Sequence, residues 1–134
     1  YIPAIRTGQL AITSGQLPTV AGKLARTGKV GPGALAPEVA AEDARQACLN
    51  ALAALRAVVG GSLDNLSRIV RVVAYVQSTP DFSQQSIVSN GASKLLEEVF
   101  GEAGKHVRTS VGMVALPLDA TCEIELWAEV KLGV

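Results

Sequence analysis

The most regular pattern in the chain lies near its end. Over residues 121–131, Cys122, Ile124, Leu126, Ala128 and Val130 alternate with Glu123, Glu125, Trp127, Glu129 and Lys131. Successive side chains of a strand point to opposite faces, so this segment is predicted as a strand with one buried face and one face carrying carboxylates. A different period governs residues 37–60. Ala44, Cys48, Ala51, Leu52, Leu55, Val58 and Val59 recur at steps of three and four, and Glu42, Arg45, Gln46, Asn50 and Arg56 take other faces. That spacing predicts an amphipathic helix. Pro37 suits its first position, Glu38, Glu42 and Asp43 lie where the helix dipole favours negative charge, and Gly60-Gly61 stops it. A second amphipathic helix is predicted over 83–100, with Ile87, Val88, Ala92, Leu95, Leu96 and Val99 on its apolar side and residues 101–104 as its end.

Residues 66–77 are rich in β-branched side chains and read as a buried strand, apolar on both faces except for Arg71. Arg71 reads as a structural charge whose head reaches a sheet edge or a carboxylate. Thr79-Pro80-Asp81 breaks this strand, residues 107–116 form another, and Pro117-Leu118-Asp119 is a turn. Residues 5–16 read as a strand that Gly8-Gln9 can fold into a hairpin. Residues 17–37, with Pro18, Gly22, Gly28, Gly31, Pro32, Gly33 and Pro37, read as loop with a short ribbon around 23–29. The order is β-β-α-β-α-β-β in a single domain, 1–134. This is an α+β arrangement, a mixed sheet with two helices on one face. The other face must meet solvent or another subunit, and the carboxylates of the last strand make part of it wet.

Composition sharpens this picture. Hydrophobic residues make up 49% of 134, charged residues only 18%, which excludes a disordered chain. So apolar a composition in so small a domain points to apolar surface buried between subunits. Lys+Arg and Asp+Glu are both 12, so a general electrostatic grip on nucleic acid or on an anionic membrane is not expected. No apolar run approaches the ~20 residues that span a bilayer. Cys48 and Cys122 are the only cysteines, set far apart, and are expected as buried free thiols in a reducing, cytoplasmic compartment. The sequence opens on Tyr1 rather than Met, which is consistent with a preceding segment.

With one His and no ligand spacing, no metal site is expected. No phosphate-binding loop and no Gly-x-Ser-x-Gly elbow is present. His106 reads as a surface loop histidine, and Cys48, on the apolar face of a helix, as inert. Two charged residues stand out. Arg108 opens an otherwise apolar strand, either as a solvated strand end or as a fork for a carboxylate, which arginine binds bidentately. Glu123 heads the last strand, either as one more solvated carboxylate or as a group that orients a water or accepts a proton.

Taken in order, Tyr1, Thr13-Ser14-Gly15-Gln16 with Pro18, Asn90, Arg108-Thr109-Ser110-Val111 with Leu116-Pro117, and Glu123-Ile124-Glu125 resemble the Rid family, the reactive intermediate deaminases or YjgF-like proteins. The resemblance spans nearly the whole chain. It implies a chorismate-mutase-like fold of the bacillary type, a homotrimer with clefts between subunits, and no cofactor. It implies hydrolytic deamination of 2-imino or 2-enamino acids to 2-keto acids and ammonia. By the same resemblance Arg108 binds the substrate carboxylate and Glu123 positions the water, as the catalytic pair. Gly15 and Ser110 offer backbone groups, and Tyr1, Ser14 and Asn90 line the cleft. The alternative is a non-catalytic, small-carboxylate-binding or regulatory member using the same cleft. Three features mark a divergent branch. Ser110 stands where many members carry cysteine, Gly112 where a larger residue is common, and the stretch from Asn90 to Arg108 is one residue longer.

Overall fold

The computed structural model describes residues 1–134. The elements are β1 (Ala4–Thr7), β2 (Leu10–Thr13), β3 (Thr19–Val20), β4 (Lys23–Leu24), α1 (Pro37–Val58), β5 (Leu66–Gln77), α2 (Gln85–Phe100), β6 (Val107–Met113) and β7 (Cys122–Val130). A five-stranded sheet runs in the order β1-β2-β7-β5-β6, and β3-β4 is a separate ribbon. All neighbours in the large sheet are antiparallel except β5 and β6. Two parallel strands cannot be joined by a tight turn, and α2 supplies the crossover between them.

The predicted α+β layering is present, and α1 and α2 cover one face of the mixed sheet. Beneath them lie Val72, Ala74 and Val76 of β5 and Cys122, Ile124, Leu126, Ala128 and Val130 of β7, all fully buried. Apart from Leu55, Leu96 and a few other large side chains, the helices meet this layer through Ala40, Ala44, Ala47, Cys48, Ala51 and Ala92. Small residues let the two helices approach closely. A Cβ at Gly91 would stand 1.9 Å from the Ala41 carbonyl oxygen, so that position requires glycine.

The open face is mixed. One row of paired residues crosses all five strands as Ile5, Ile12, Trp127, Arg71 and Val107. Ile5 and Val107 are exposed. Arg71 makes no ion pair with a carboxylate of the chain; its Nη2 donates to Thr109 Oγ1 at 2.5 Å. Thus β5 is apolar and fully buried on the helix face alone.

Boundaries shift where local geometry dictates. α1 stops at Val58 because Gly60 and Gly61 take φ of 81° and 85°. β6 ends at Met113, earlier than residue 116, where the chain leaves the sheet and Leu116 N–H turns to Gln77 Oε1 at 2.7 Å. The ribbon lies at 19–24, not 23–29, because Ala21 and Gly22, at φ of 52° and 77°, close its two-residue turn. The rest of that loop is tied to the body. Val30 is fully buried and bridges Ser78, and Arg26 Nη1 donates to buried Asp43 at 2.8 Å, which also accepts from Thr121 Oγ1 at 2.7 Å.

Gly91→Ala tests the close helix contact. Alanine is the better helix former by about 1 kcal/mol, yet the clash is expected to outweigh this and destabilise the protein by about 2 kcal/mol. Urea unfolding measures the difference; a stabilised variant would show that the helices do not approach this closely.

Candidate functional site

Arg108 lies on β6, the edge strand, opposite Val72 of β5, and so projects to the helix side of the sheet. Its Nη1 donates to Asn90 Oδ1 at 2.8 Å and to Ser93 Oγ at 3.1 Å, both on α2. Asn90 and Ser93 are three residues apart and share a helix face. Arg108 makes no ion pair, and Nη2 and Nε have no protein partner. The guanidinium is half-buried beside a polar cavity of about 370 Å³ lined by Ser93, Glu97, Lys105, His106 and Arg108. A half-buried cation without a counterion is a place for an anion, and its free edge suits a planar carboxylate. Ser110, two residues on along β6, also faces α2 and shares a hydrogen bond of 2.7 Å with Ser89 Oγ.

Glu123 lies on β7 opposite Tyr75, on the open face. Neighbouring Glu125 has partners: it accepts from Tyr75 Oη at 3.1 Å and from Trp127 Nε1 at 2.7 Å. Glu129 accepts from Ser67 Oγ at 2.7 Å. Glu123 has none, and its carboxylate rests against Gly15, where a Cβ would stand 2.1 Å from Oε2. Burial, and then the negative charge of Glu125, hold its carboxyl above the usual carboxylate value of 4.5.

A β-bulge brings Gly15 there. Ile12 pairs with Trp127 and Gln16 with Ile124, so four residues are spanned on one side against three on the other. The extra residue lifts Ser14-Gly15 out of the ladder. Thr13 Oγ1 covers the gap by accepting from Leu126 N–H at 3.0 Å, and Gly15 N–H makes no backbone hydrogen bond. Ser14 Oγ donates to the Ile2 carbonyl at 2.7 Å, and Ser14 and exposed Tyr1 line one shallow depression.

The residues singled out in the sequence therefore form two groups. Asn90, Arg108 and Ser110 gather on the helix side of the edge strand; Tyr1, Ser14, Gly15 and Glu123 gather at the bulge on the open face. Arg108 and Glu123 do not meet within one chain. His106 is not a plain surface residue. It is half-buried, with Nε2 2.8 Å from Ser93 Oγ and Nδ1 2.6 Å from the Gly104 carbonyl oxygen. Ser93 and His106 were missed by sequence reasoning. The available signal was spacing: His106 stands two residues before Arg108 along a strand direction, and Ser93 three after Asn90 on a helix. Both thiols are free and buried, and burial pushes each up to about 12. No three His, Cys, Asp or Glu side chains lie close enough to hold a metal ion, and no helix is long and apolar enough to cross a membrane.

The sheet order and helix placement define an α+β protein of the chorismate-mutase-like kind. Residues 1–130 match the family described as "YjgF/chorismate mutase-like, putative endoribonuclease", and the chain belongs to that family. It is 36% identical over 132 residues to Protein TCP17 of Trypanosoma cruzi, covering 98% of this chain and 81% of that one. It is similar to the solved structure of Atu1372 from Agrobacterium tumefaciens, a protein described as of unknown function, at 39% identity and TM-score 0.93, over 98% of this chain and 82% of that one. A "putative endoribonuclease" from Shewanella oneidensis superposes with TM-score 0.90 at 33% identity, over 97% and 85%.

The raised proton affinity of Glu123 has a thermodynamic consequence. The folded chain holds this proton more tightly than the unfolded chain, so ionising Glu123 opposes folding. The penalty is absent below the ordinary carboxylate value, grows as pH rises through it, and is full above the raised folded value. Glu123→Gln is expected to be more stable than wild type near pH 7, with the two converging near pH 3. Paired denaturant titrations across pH check this; a gap that widens on acidification would contradict it.

Proposed function

We propose that the protein hydrolyses reactive 2-imino and 2-enamino acids to 2-keto acids and ammonia, in clefts between the subunits of a homotrimer. The observation that carries this reading is Arg108: half-buried, anchored through one nitrogen, without a counterion, and with two nitrogens free. The two residue groups face opposite sides of one sheet, so a cleft holding both Arg108 and Glu123 needs two copies of the chain. The adjoining apolar residues Ile5, Ile12 and Trp127 on the open face, with Val107 beyond Arg71, support such self-association.

In this cleft Arg108 takes the substrate carboxylate and sets the imine carbon against the bulge. Glu123 of the adjoining copy holds a water. As the water oxygen bonds to the carbon of the protonated imine, one water proton passes to Glu123 and the C=N electron pair moves to nitrogen, leaving an amine. Glu123 then gives that proton to the amine nitrogen; as ammonia leaves, the hydroxyl proton passes back to Glu123, which releases it to solvent, and the C=O bond forms. An imine carbon is already electrophilic, so positioning and one base suffice. The free Gly15 N–H is available to a substrate oxygen. The family description also names an endoribonuclease. Zero formal net charge, and an open face carrying Glu123, Glu125 and Glu129, give RNA no basic stripe to follow.

An assay in which an amino-acid oxidase generates the imine and semicarbazide traps the remainder tests the reading. Arg108→Ala is expected to lower kcat/KM by at least ~100-fold while light scattering shows an unchanged trimer. Retained activity would sink the assignment. Saturable binding of 2-keto acids without turnover would make the protein a carboxylate binder instead. Gly15→Ala separates position from fold. The carboxylate of Glu123 can swing away from a new methyl group, so stability should change by less than about 1 kcal/mol, yet activity should fall about as far as in Glu123→Gln.

A further inference from the structure

Between Arg108 and the loop that follows α2 runs a chain of hydrogen bonds whose ends have only one possible sense. A guanidinium can only donate, and a carbonyl oxygen can only accept. Arg108 Nη1 therefore donates to Ser93 Oγ at 3.1 Å, and at the other end the Gly104 carbonyl accepts from His106 Nδ1 at 2.6 Å. The Nδ1–H tautomer completes the chain: Nε2 accepts from the Ser93 hydroxyl across 2.8 Å. With its proton so directed, Ser93 turns a lone pair toward Arg108. Each link polarises the next.

We propose that Ser93 and His106 are positioning residues for Arg108. The chain fixes the plane of the guanidinium so that its free Nη2 and Nε edge meets a carboxylate bidentately. This rests on the reading of Arg108 as the carboxylate ligand. Three observations support a role beyond packing. The chain ends on a cation that has no counterion. Its members line a polar cavity together with Glu97 and Lys105, with no apolar side chain among them. The loop is also built to hold its acceptor still. A Cβ at Gly104 would stand 2.1 Å from the Leu96 carbonyl oxygen, so this turn sits tightly on the end of α2.

His106 is the one histidine of the chain, so its ring nitrogens can be followed without ambiguity by nitrogen-15 NMR. At neutral pH, wild type is expected to show protonated Nδ1 and unprotonated Nε2, and Ser93→Ala to shift the Nε2 signal. Calorimetry with 2-ketobutanoate, a non-reactive carboxylate, reads the function independently of turnover. Ser93→Ala and His106→Phe should each raise its Kd, and the KM of the imine, about tenfold, with kcat within about threefold of wild type. Ser93→Thr, which keeps the hydroxyl, should recover most of the affinity. Because His106 acts through Ser93, the double variant should bind no more weakly than Ser93→Ala alone. Losses that add in the double variant, an unchanged Kd in Ser93→Ala, or a ring protonated on Nε2 would each overturn the proposal. If wild type binds 2-ketobutanoate but hydrolyses no imine, the hydrolase reading fails and the Kd series alone decides on the chain. If Arg108→Ala binds as tightly as wild type, both fail.

Discussion

Everything in this fold hangs on the two-residue period of β7. Its inner rib, Cys122, Ile124, Leu126, Ala128 and Val130, is fully buried beneath the helices, and its outer rib carries Glu123, Glu125, Trp127 and Glu129. A slip of one residue would place three carboxylates and an indole in the core, so the register admits no alternative. Because β7 pairs with both β2 and β5, its register passes to the rest of the sheet. It sets Tyr75 beside Glu123 and, through the parallel ladder, fixes which residues of β6 face α2. The position of Arg108 is thus decided two strand pairings away from where the constraint originates.

The same period made much of the fold legible in the sequence. Strong periodicity over β7, α1 and α2 located all three to within a few residues, because burial of one face is what both the pattern and the structure record. The ribbon was misplaced for a different reason. Its turn falls on Ala21-Gly22, where alanine gives no hint of the positive φ it adopts. The bulge at Ser14-Gly15 was legible only as a glycine; that it answers to the Glu123 carboxylate is a tertiary fact. His106 and Ser93 lie on different elements, and no local pattern joins a helix residue to a loop residue thirteen positions on. The resemblance named Arg108 and Glu123, but their opposite faces were not legible: along 107–113 the apolar residues Val107, Val111 and Met113 alternate with Arg108, and only the pairing of Arg108 with buried Val72 turns it toward the helices.

That opposition gives the open face its mixed character. A monomer in water would carry only polar side chains there, and a buried sheet only apolar ones. This face has an apolar row beside carboxylates, two of them satisfied by Tyr75, Trp127 and Ser67 and one left free. Burial raises the proton affinity of the free carboxylate of Glu123, and the charge of Glu125, itself held by two donors, adds to it. On the helix side Arg108 lacks a counterion. The chain is neutral overall, yet it keeps a free cation on one face and a free anion on the other.

The loop after α2 sets the geometry beside Arg108. Gly101, at φ of 61°, turns the chain out of the helix, and a short 3-10 turn over Gly101–Gly104 presses back on Leu96. The direction this imposes delivers His106 on the same side of the strand as Arg108. Gly112, at the other end of β6, is also closely packed: a Cβ there would stand 2.8 Å from Gln85 Nε2 and 3.2 Å from Ser78 Oγ. This glycine and the loop over 101–106 flank Arg108 and Ser110 at both ends of β6. Both control how the edge strand meets α2.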